Sequence, residues 1–418
     1  MPILNIETLI AEIHRIDTAP AVVNGVVTGD KHAKTTDLIK DYVYTSPSQP
    51  QSTGHPIPER LNDLLDALQK DRNLLKSTVV NNLMSENILT QEHFKQMGIG
   101  WQFMQALASG QGVQNFSTPP LLEKINRKST EVYFWGIPSS GKSCAIGAII
   151  SMAAASKAAL CRSIFEDNHC QGYNYMMRLK NLFKMDGRVT SLPNRTPVIA
   201  TYEMGFDLND HLGRVHPITF IDLAGELIRC MFKSDTGQKL ADDERTALDV
   251  LDKILVDERT ENQKLHFFVL EYGGEAREYE GLSQASYLAG ALNYIRSKDI
   301  FRDRTDGIYL LVTKADKAGM PEEELPDYLM EYIYDTHGYQ GFAQGLKTLC
   351  QKYHINGGEL NVFPFSLGEV CFKDYCVFNG KYTEDVITEL VKRTWWYNGW
   401  ENKWWAAPYR LYKKFIRS

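Results

Sequence analysis

At 418 residues the chain is long enough for two or three domains, because a single hydrophobic core stops growing at roughly 250 residues. An apolar share of 43% and a charged share of 23% match ordinary soluble composition, which excludes a disordered or fibrous chain as a whole. The formal net charge of −6 argues against a generic nucleic-acid binder, a local basic patch aside.

The cysteines (Cys144, Cys161, Cys170, Cys230, Cys350, Cys371, Cys376) are odd in number and form no CxxC pair, which fits a reducing compartment and sets a cytoplasmic location as the expectation. His169 and Cys170 adjoin, with nothing else at zinc-ligand spacing. The opening MPILNIETLIAEIHRID mixes charges into its apolar residues and lacks the uninterrupted core of a signal peptide. The longest apolar stretch, CAIGAIISMAAAS at 144–156, falls short of the roughly 20 residues that a membrane span needs, so no transmembrane segment is read.

In chain order, residues 1–58 form a segment without a defined pattern, a short amphipathic run at the start apart. It ends in YTSPSQPQSTGHPIP, 44–58, a linker or long loop that cannot bury enough apolar surface to repay ordering. Residues 59–125 are read as a helical domain. There Leu61, Leu64, Leu65 and Leu68 recur at three- and four-residue spacing, as a stripe facing a core or, second, a partner. SGQGVQNFSTPP closes this region.

Residues 126–397 alternate strands and helices. A strand at 131 precedes apolar β-rich runs at 196–204, 217–226, 265–272, 306–316 and 359–366. Helix-like stretches at 244–258, 283–297, 322–336 and 383–396 separate or follow the later ones. Such alternation predicts an α/β fold with a largely parallel sheet covered on both faces. The exception is 196–226, where GFDLNDHLGRVH is too short for a crossover helix and predicts a hairpin of two antiparallel strands.

Between the first strand and the first helix lies GIPSSGKS, which fits G-x-x-x-x-G-K-S with Gly136, Gly141, Lys142 and Ser143 in the fixed places. Glycine lets the backbone fold tightly, the N–H groups of Pro138-to-Cys144 residues other than proline (Ser139, Ser140, Gly141, Lys142, Ser143, Cys144) face an anion at a helix N-terminus, and Lys142 neutralises oxygens toward the terminal phosphate. Ser143 supplies a hydroxyl for Mg²⁺. The loop is therefore a candidate site for a nucleotide phosphate chain.

Further motifs resemble those of the P-loop GTPase superfamily, its Ras-like (TRAFAC-type) branch in particular. FIDLAGE at 220–226 looks like D-x-x-G, and the resemblance implies that Asp222 holds Mg²⁺ through water while the Gly225 amide senses the γ-phosphate. LLVTKAD at 310–316 is similar to [NT]-K-x-D, which implies that Asp316 accepts from the guanine N1 and N2 edge, with Thr313 and Lys314 beside it. VFPFSLGE at 362–369 sits where the family places its last base-contacting loop, implying backbone contact around Ser366 and Leu367. The order of motifs and elements over roughly 131–397 is that of a Ras-like G domain with one antiparallel strand pair, preceded by the helical region. GTP or GDP and Mg²⁺ are the implied ligands.

The family needs a Thr before the hairpin to join Mg²⁺ when the γ-phosphate is present; Thr196 is best placed, with Thr190 and Thr201 as rivals. The long stretch between Lys142 and Thr196 implies an insertion. Arg195, and after it Arg188, is a candidate arginine finger in cis, against the reading of a solvated surface arginine. Glu226 stands where Ras-like enzymes usually carry Gln. A carboxylate accepts hydrogen bonds, donates none and adds negative charge beside a phosphoryl group, so slow or partner-activated turnover is expected unless Glu226 acts as a base or serves the helix N-terminus.

The C-terminal extension, 398–418, follows a stretch already rich in aromatic and basic residues. Trp395, Trp396, Trp400, Trp404 and Trp405 interleave with Lys392, Arg393, Lys403, Arg410, Lys413, Lys414 and Arg417. Packing on the rest of the chain comes first; a protein partner, an anionic membrane surface and single-stranded nucleic acid follow in that order. The expectation is a GTP-binding switch or assembly regulator. The rivals are a GTP-binding scaffold without useful hydrolysis and a P-loop ATPase.

Overall fold

A computed structural model of the protein describes residues 5–18, 22–23, 26–27, 30–45, 55–110, 119–155, 161–184, 186–279, 281–302, 304–335, 338–395 and 408. Most of the linker expected at 44–58, Trp396, and almost all of the C-terminal extension, including Trp400, Trp404 and Trp405, lie outside these residues. No described helix is long and apolar enough to cross a membrane.

The N-terminal region is helical. Helix α1 (Ile6–Thr18) is followed by a two-residue antiparallel pair, β1 (Val22–Val23) with β2 (Val26–Val27), and then by α2 (Lys31–Tyr44), whose N-cap Asp30 accepts from the His32 amide at 2.8 Å. Helix α3 (Pro58–Lys70) opens with proline in its first turn, where the missing N–H costs nothing. Three short helices complete the region: α4 (Ser77–Ser85), α5 (Gln91–Gln96) and α6 (Trp101–Ala108). The leucine stripe of α3 faces inward, with Leu64 and Leu68 buried against Leu9, Ile13, Ile39, Val80, Leu83 and Phe94.

The rest is a layered α/β domain. Its elements begin β3 (Thr130–Gly136), α7 (Lys142–Ala154), β4 (Cys161–Glu166), α8 (Tyr173–Leu182), β5 (Val189–Ser191), β6 (Thr201–Asp210), β7 (Val215–Leu223), α9 (Glu226–Asp235) and α10 (Asp242–Asp252). They continue with β8 (Lys264–Glu271), a short pair β9 (Glu278–Tyr279) and β10 (Leu282–Ser283), α11 (Gln284–Ser297), β11 (Thr305–Thr313), α12 (Leu325–Asp335), α13 (Gln340–Lys352) and β12 (Asn361–Phe365). A hairpin, β13 (Gly368–Cys371) and β14 (Tyr375–Phe378), leads into α14 (Glu384–Trp395).

The main sheet has the order β12-β11-β8-β3-β7-β6-β4, and β6 alone runs against its neighbours. The fold is mixed α/β, with a mostly parallel sheet, the antiparallel pair β6–β7 and helices on both faces, as expected from the alternation. Strands β3 and β8 are buried along their whole length, which is why VYFW and LHFFVL read as unbroken apolar runs. Helices α9 to α13 cover one face and α7, α8 and α14 the other.

The insertion expected between α7 and Thr196 takes the form of β4, an extra edge strand antiparallel to β6, and the helix α8. Two features depart from the sequence expectation. The first hairpin strand begins at Thr201 rather than 196, because Pro197 cannot donate to the ladder and the Ala200 amide instead closes a turn onto the Pro197 carbonyl at 2.9 Å. The hairpin β13–β14 pairs with β5 in a separate three-stranded antiparallel sheet.

That small sheet joins the two regions. Cys371, Phe372 and Tyr375 are part of the helical core, and Phe372 meets Phe94 edge to face with ring centroids 5.7 Å apart. The buried Asp374 carboxylate accepts from both the amide and the hydroxyl of Ser77 at 2.8 Å. Asn73 donates to the Val370 carbonyl at 3.0 Å and accepts from the Lys373 amide at 2.8 Å.

Candidate nucleotide site

The parallel strands β3, β8, β11 and β12 present their carboxyl ends to one edge of the domain, the edge where open α/β sheets hold ligands. From β3 the chain enters the loop Gly136 to Ser143. Gly141 has φ +86° and Ser139 φ +66°, so the backbone coils back on itself before α7 begins at Lys142. A Cβ on Gly136 would lie 2.9 Å from the Val269 carbonyl, so only glycine fits there. Pro138 lies on the loop's other flank: a Cβ on Gly225 would come within 2.6 Å of the Pro138 nitrogen, so the start of α9 rests directly on the loop.

The loop is tied to β11 as well. Thr313, at the end of β11, donates to the Ser140 carbonyl at 2.6 Å, and the Leu270 carbonyl lies 3.0 Å from the same hydroxyl. The Ser140 hydroxyl is buried and, among the described residues, has no hydrogen-bond partner. Such an orphaned group beside a coil of backbone amides suits a phosphate oxygen. Cys144, one turn into the helix, is held neutral: burial pushes its thiol up to about 12.

Oxygen donors converge at the start of α7. Ser143 Oγ lies 3.1 Å from Thr196 Oγ1 and donates to Asp222 Oδ2 at 3.0 Å. Asp222, fully buried at the end of β7, also pairs through Oδ1 with the buried Lys142 ammonium. Hydroxyl and carboxylate oxygens are the ligand type of a hard divalent cation, so the donor set fits Mg²⁺. Thr196 is thus brought to the other two metal candidates, whereas Thr190 lies in β5 paired with Cys376 and Thr201 starts β6 opposite Leu223.

Arg195 Nε donates to Ser139 Oγ at 2.9 Å, which places its guanidinium at the phosphate loop. Arg188 is instead exposed and lies 3.5 Å from Asp186. Glu226 is the first residue of α9, adjoining Gly225. Arg393, in the aromatic-basic stretch for which packing on the rest of the chain was the first expectation, is half-buried, bonded to Glu389 at 2.7 Å and to the Asp306 carbonyl at 3.1 Å.

After β11, Lys314 has φ +57° and its ammonium pairs with Glu271, which also meets Arg277 at 2.5 Å. Burial is the main cause that lowers the Lys314 pKa. Asp316 follows in a single 3₁₀ turn; its carboxylate is exposed and, among the described residues, has no hydrogen-bond partner. The Ser366–Leu367 loop comes alongside because Phe365 is in register with Thr313, the residue that leads into the Lys314–Asp316 turn. Ser366 is buried and accepts from the Gly368 amide at 3.2 Å, while the Leu367 carbonyl accepts from the Asn379 amide at 2.7 Å.

Sequence reasoning missed one group here. Tyr175, on the inserted helix α8, donates to Asp222 Oδ2 at 2.8 Å. Its only sequence signal is its place in the long stretch before Thr196.

No family model matches the chain, and neither does any curated protein. Among solved structures it is similar to a Plasmodium falciparum protein described as a nucleolar GTP-binding protein 1 (15% identity, 66% of this chain and 90% of that one, TM-score 0.27). It is also similar to Roco2 RocCORdC of Methanosarcina barkeri bound to GDP (16% identity, 68% and 53%, TM-score 0.25). A third is the small COPII coat GTPase Sar1 of Encephalitozoon cuniculi in complex with GDP (13% identity, 64% and 83%, TM-score 0.21). The chain thus spans about half the length of the Roco2 structure. TM-scores of 0.21 to 0.27 measure likenesses too loose to carry function from those proteins to this one.

Proposed function

We propose that this chain is a cytoplasmic guanine-nucleotide-binding protein that holds GTP or GDP with Mg²⁺ and turns over slowly or on contact with a partner. The observation that carries the reading is the convergence of Ser143, Thr196 and Asp222 at the phosphate loop, with the exposed Asp316 carboxylate on the same sheet edge. Mg²⁺ bound there would neutralise phosphate charge. The chain's own groups divide the remaining work. The loop amides and Lys142 bind phosphate, Asp316 reads the purine edge, Thr313 keeps loop and base strand in register, and Arg195 supplies a cation at the loop mouth. Thr196 and Gly225 are the two contacts through which a γ-phosphate would be sensed, so they are the switch of the proposed cycle.

Competition binding of GTP, GDP and ATP to the full chain, with and without Mg²⁺, tests the reading. Asp316→Asn replaces an acceptor oxygen by an amide donor. Xanthine carries an oxygen where guanine carries its 2-amino group, so the variant should lose GTP affinity by at least about tenfold and bind XTP better than the wild type. Equal affinity of the wild type for GTP and ATP, or an Asp316→Asn variant with unaltered base choice, refutes it. Glu226 favours one alternative, a nucleotide-stabilised scaffold without useful hydrolysis; single-turnover hydrolysis by wild type and Glu226→Gln separates the two.

A further inference from the structure

The inserted helix α8 has no part in the function above, yet it delivers the phenol that touches the metal-side carboxylate. Tyr175 is 5% exposed, and its ring stacks on Tyr202 with centroids 3.7 Å apart and planes 14° from parallel. Two close approaches put it there. The Gly172 amide donates to the Glu203 carbonyl at 2.8 Å, and a Cβ on Gly172 would lie 2.6 Å from that same oxygen. Gly147 on α7 lets the far end of α8 settle, since a Cβ there would lie 2.6 Å from the Phe183 ring and 3.3 Å from Leu179.

The Asp222 carboxylate is therefore pinned at both oxygens. Lys142 holds Oδ1, while Ser143 and Tyr175 both donate to Oδ2, at 3.0 and 2.8 Å. Groups that hydrogen-bond a metal-side carboxylate fix its orientation and its basicity, and their loss weakens metal binding by about 10- to 100-fold.

We propose that Tyr175 is a positioning residue for the divalent cation of this site: its hydroxyl holds Asp222 Oδ2, so the inserted helix sets how tightly Mg²⁺, and with it the nucleotide, is retained. The assignment rests on the nucleotide reading above.

The test uses the full chain loaded with a fluorescent GDP, whose dissociation is followed from excess EDTA to saturating Mg²⁺. Tyr175→Phe keeps the stacked ring and removes only the hydroxyl. It should raise the Mg²⁺ concentration for half-maximal retention by about tenfold and leave the dissociation rate in EDTA unchanged. Identical Mg²⁺ curves for the variant and the wild type overturn the proposal. So does a variant that releases nucleotide faster by one factor at every Mg²⁺ concentration, because that is the signature of a purely structural role. The ratio of rates with and without Mg²⁺ is taken within each protein, so partial loss of folded material does not affect it. A wild type that binds no GDP sinks the nucleotide reading and the proposal together; a wild type that binds it beside an unchanged variant sinks the proposal alone.

Discussion

Replacing Glu203 by glutamine should stabilise the protein at alkaline pH and do little at acid pH. Glu203 lies on β6 and is 7% exposed, and its pKa rises from 4.5 to about 7. Burial is the largest cause, followed by the negative charges of Glu131 and Asp167. Arg127 offsets part of this, but its guanidinium is committed to Asp167 at 2.5 Å and to Asp207. Because the folded-state pKa lies above the unfolded value, the folded protein keeps a proton between pH 4.5 and about 7 that the unfolded chain has released. Stability therefore falls as pH rises through that window and stays lower above it. The shift sets a ceiling of about 3 kcal/mol, and after the cost of satisfying a buried amide a gain of about 1–3 kcal/mol is expected near pH 8. Thermal melts of wild type and Glu203→Gln at about pH 5 and about pH 8, at one ionic strength, measure it. A melting difference of equal size and sign at both pH values refutes the argument.

Lys142→Met leaves the buried Asp222 carboxylate without its cation, so nucleotide-free unfolding in urea should lose about 3 kcal/mol, most of it restored by adding Asp222→Asn. Gly225→Ala forces α9 off the phosphate loop, because the new Cβ would meet backbone at 2.6 to 2.8 Å; GDP affinity should persist while the preference of GTP over GDP disappears in competition binding. Phe372→Ala removes a ring that is 1% exposed and should cost about 3–5 kcal/mol, with faster hydrogen exchange in α4 and α5 than in β3 and β8.

The main sheet of the α/β domain was legible because its strands are buried on both faces and spelled by β-branched and aromatic residues, and because one loop carries glycines at fixed places before a helix. Residues far apart in sequence, from Lys142 to Asp222 and Thr313 to Ser140, then meet because the parallel register aligns the strand ends. What stayed hidden lacked a local signature. Helix α13 carries its apolar residues at helical spacing, but Gly341 and Gly345 dilute the pattern; Gly345 is there because a Cβ would lie 2.1 Å from Leu292. The hairpin β13–β14 turns through Phe372 and Lys373 at φ +56° and +60°, residues that announce no turn, and their conformation is held by the helical region they enter. Tyr175 is one tyrosine among 21 in the chain, and only the tertiary approach of α8 distinguishes it.

The seam between the helical region and the α/β domain also orders events during synthesis. Ser77 and its partner Asp374 are 297 positions apart, and the helical core stays open on one side until Cys371, Phe372 and Tyr375 have left the ribosome. At ordinary elongation rates that interval is on the order of 15 to 60 s. For that long the first helices to emerge must wait with apolar surface uncovered, so the nascent chain, more than the finished protein, is where a chaperone would be needed.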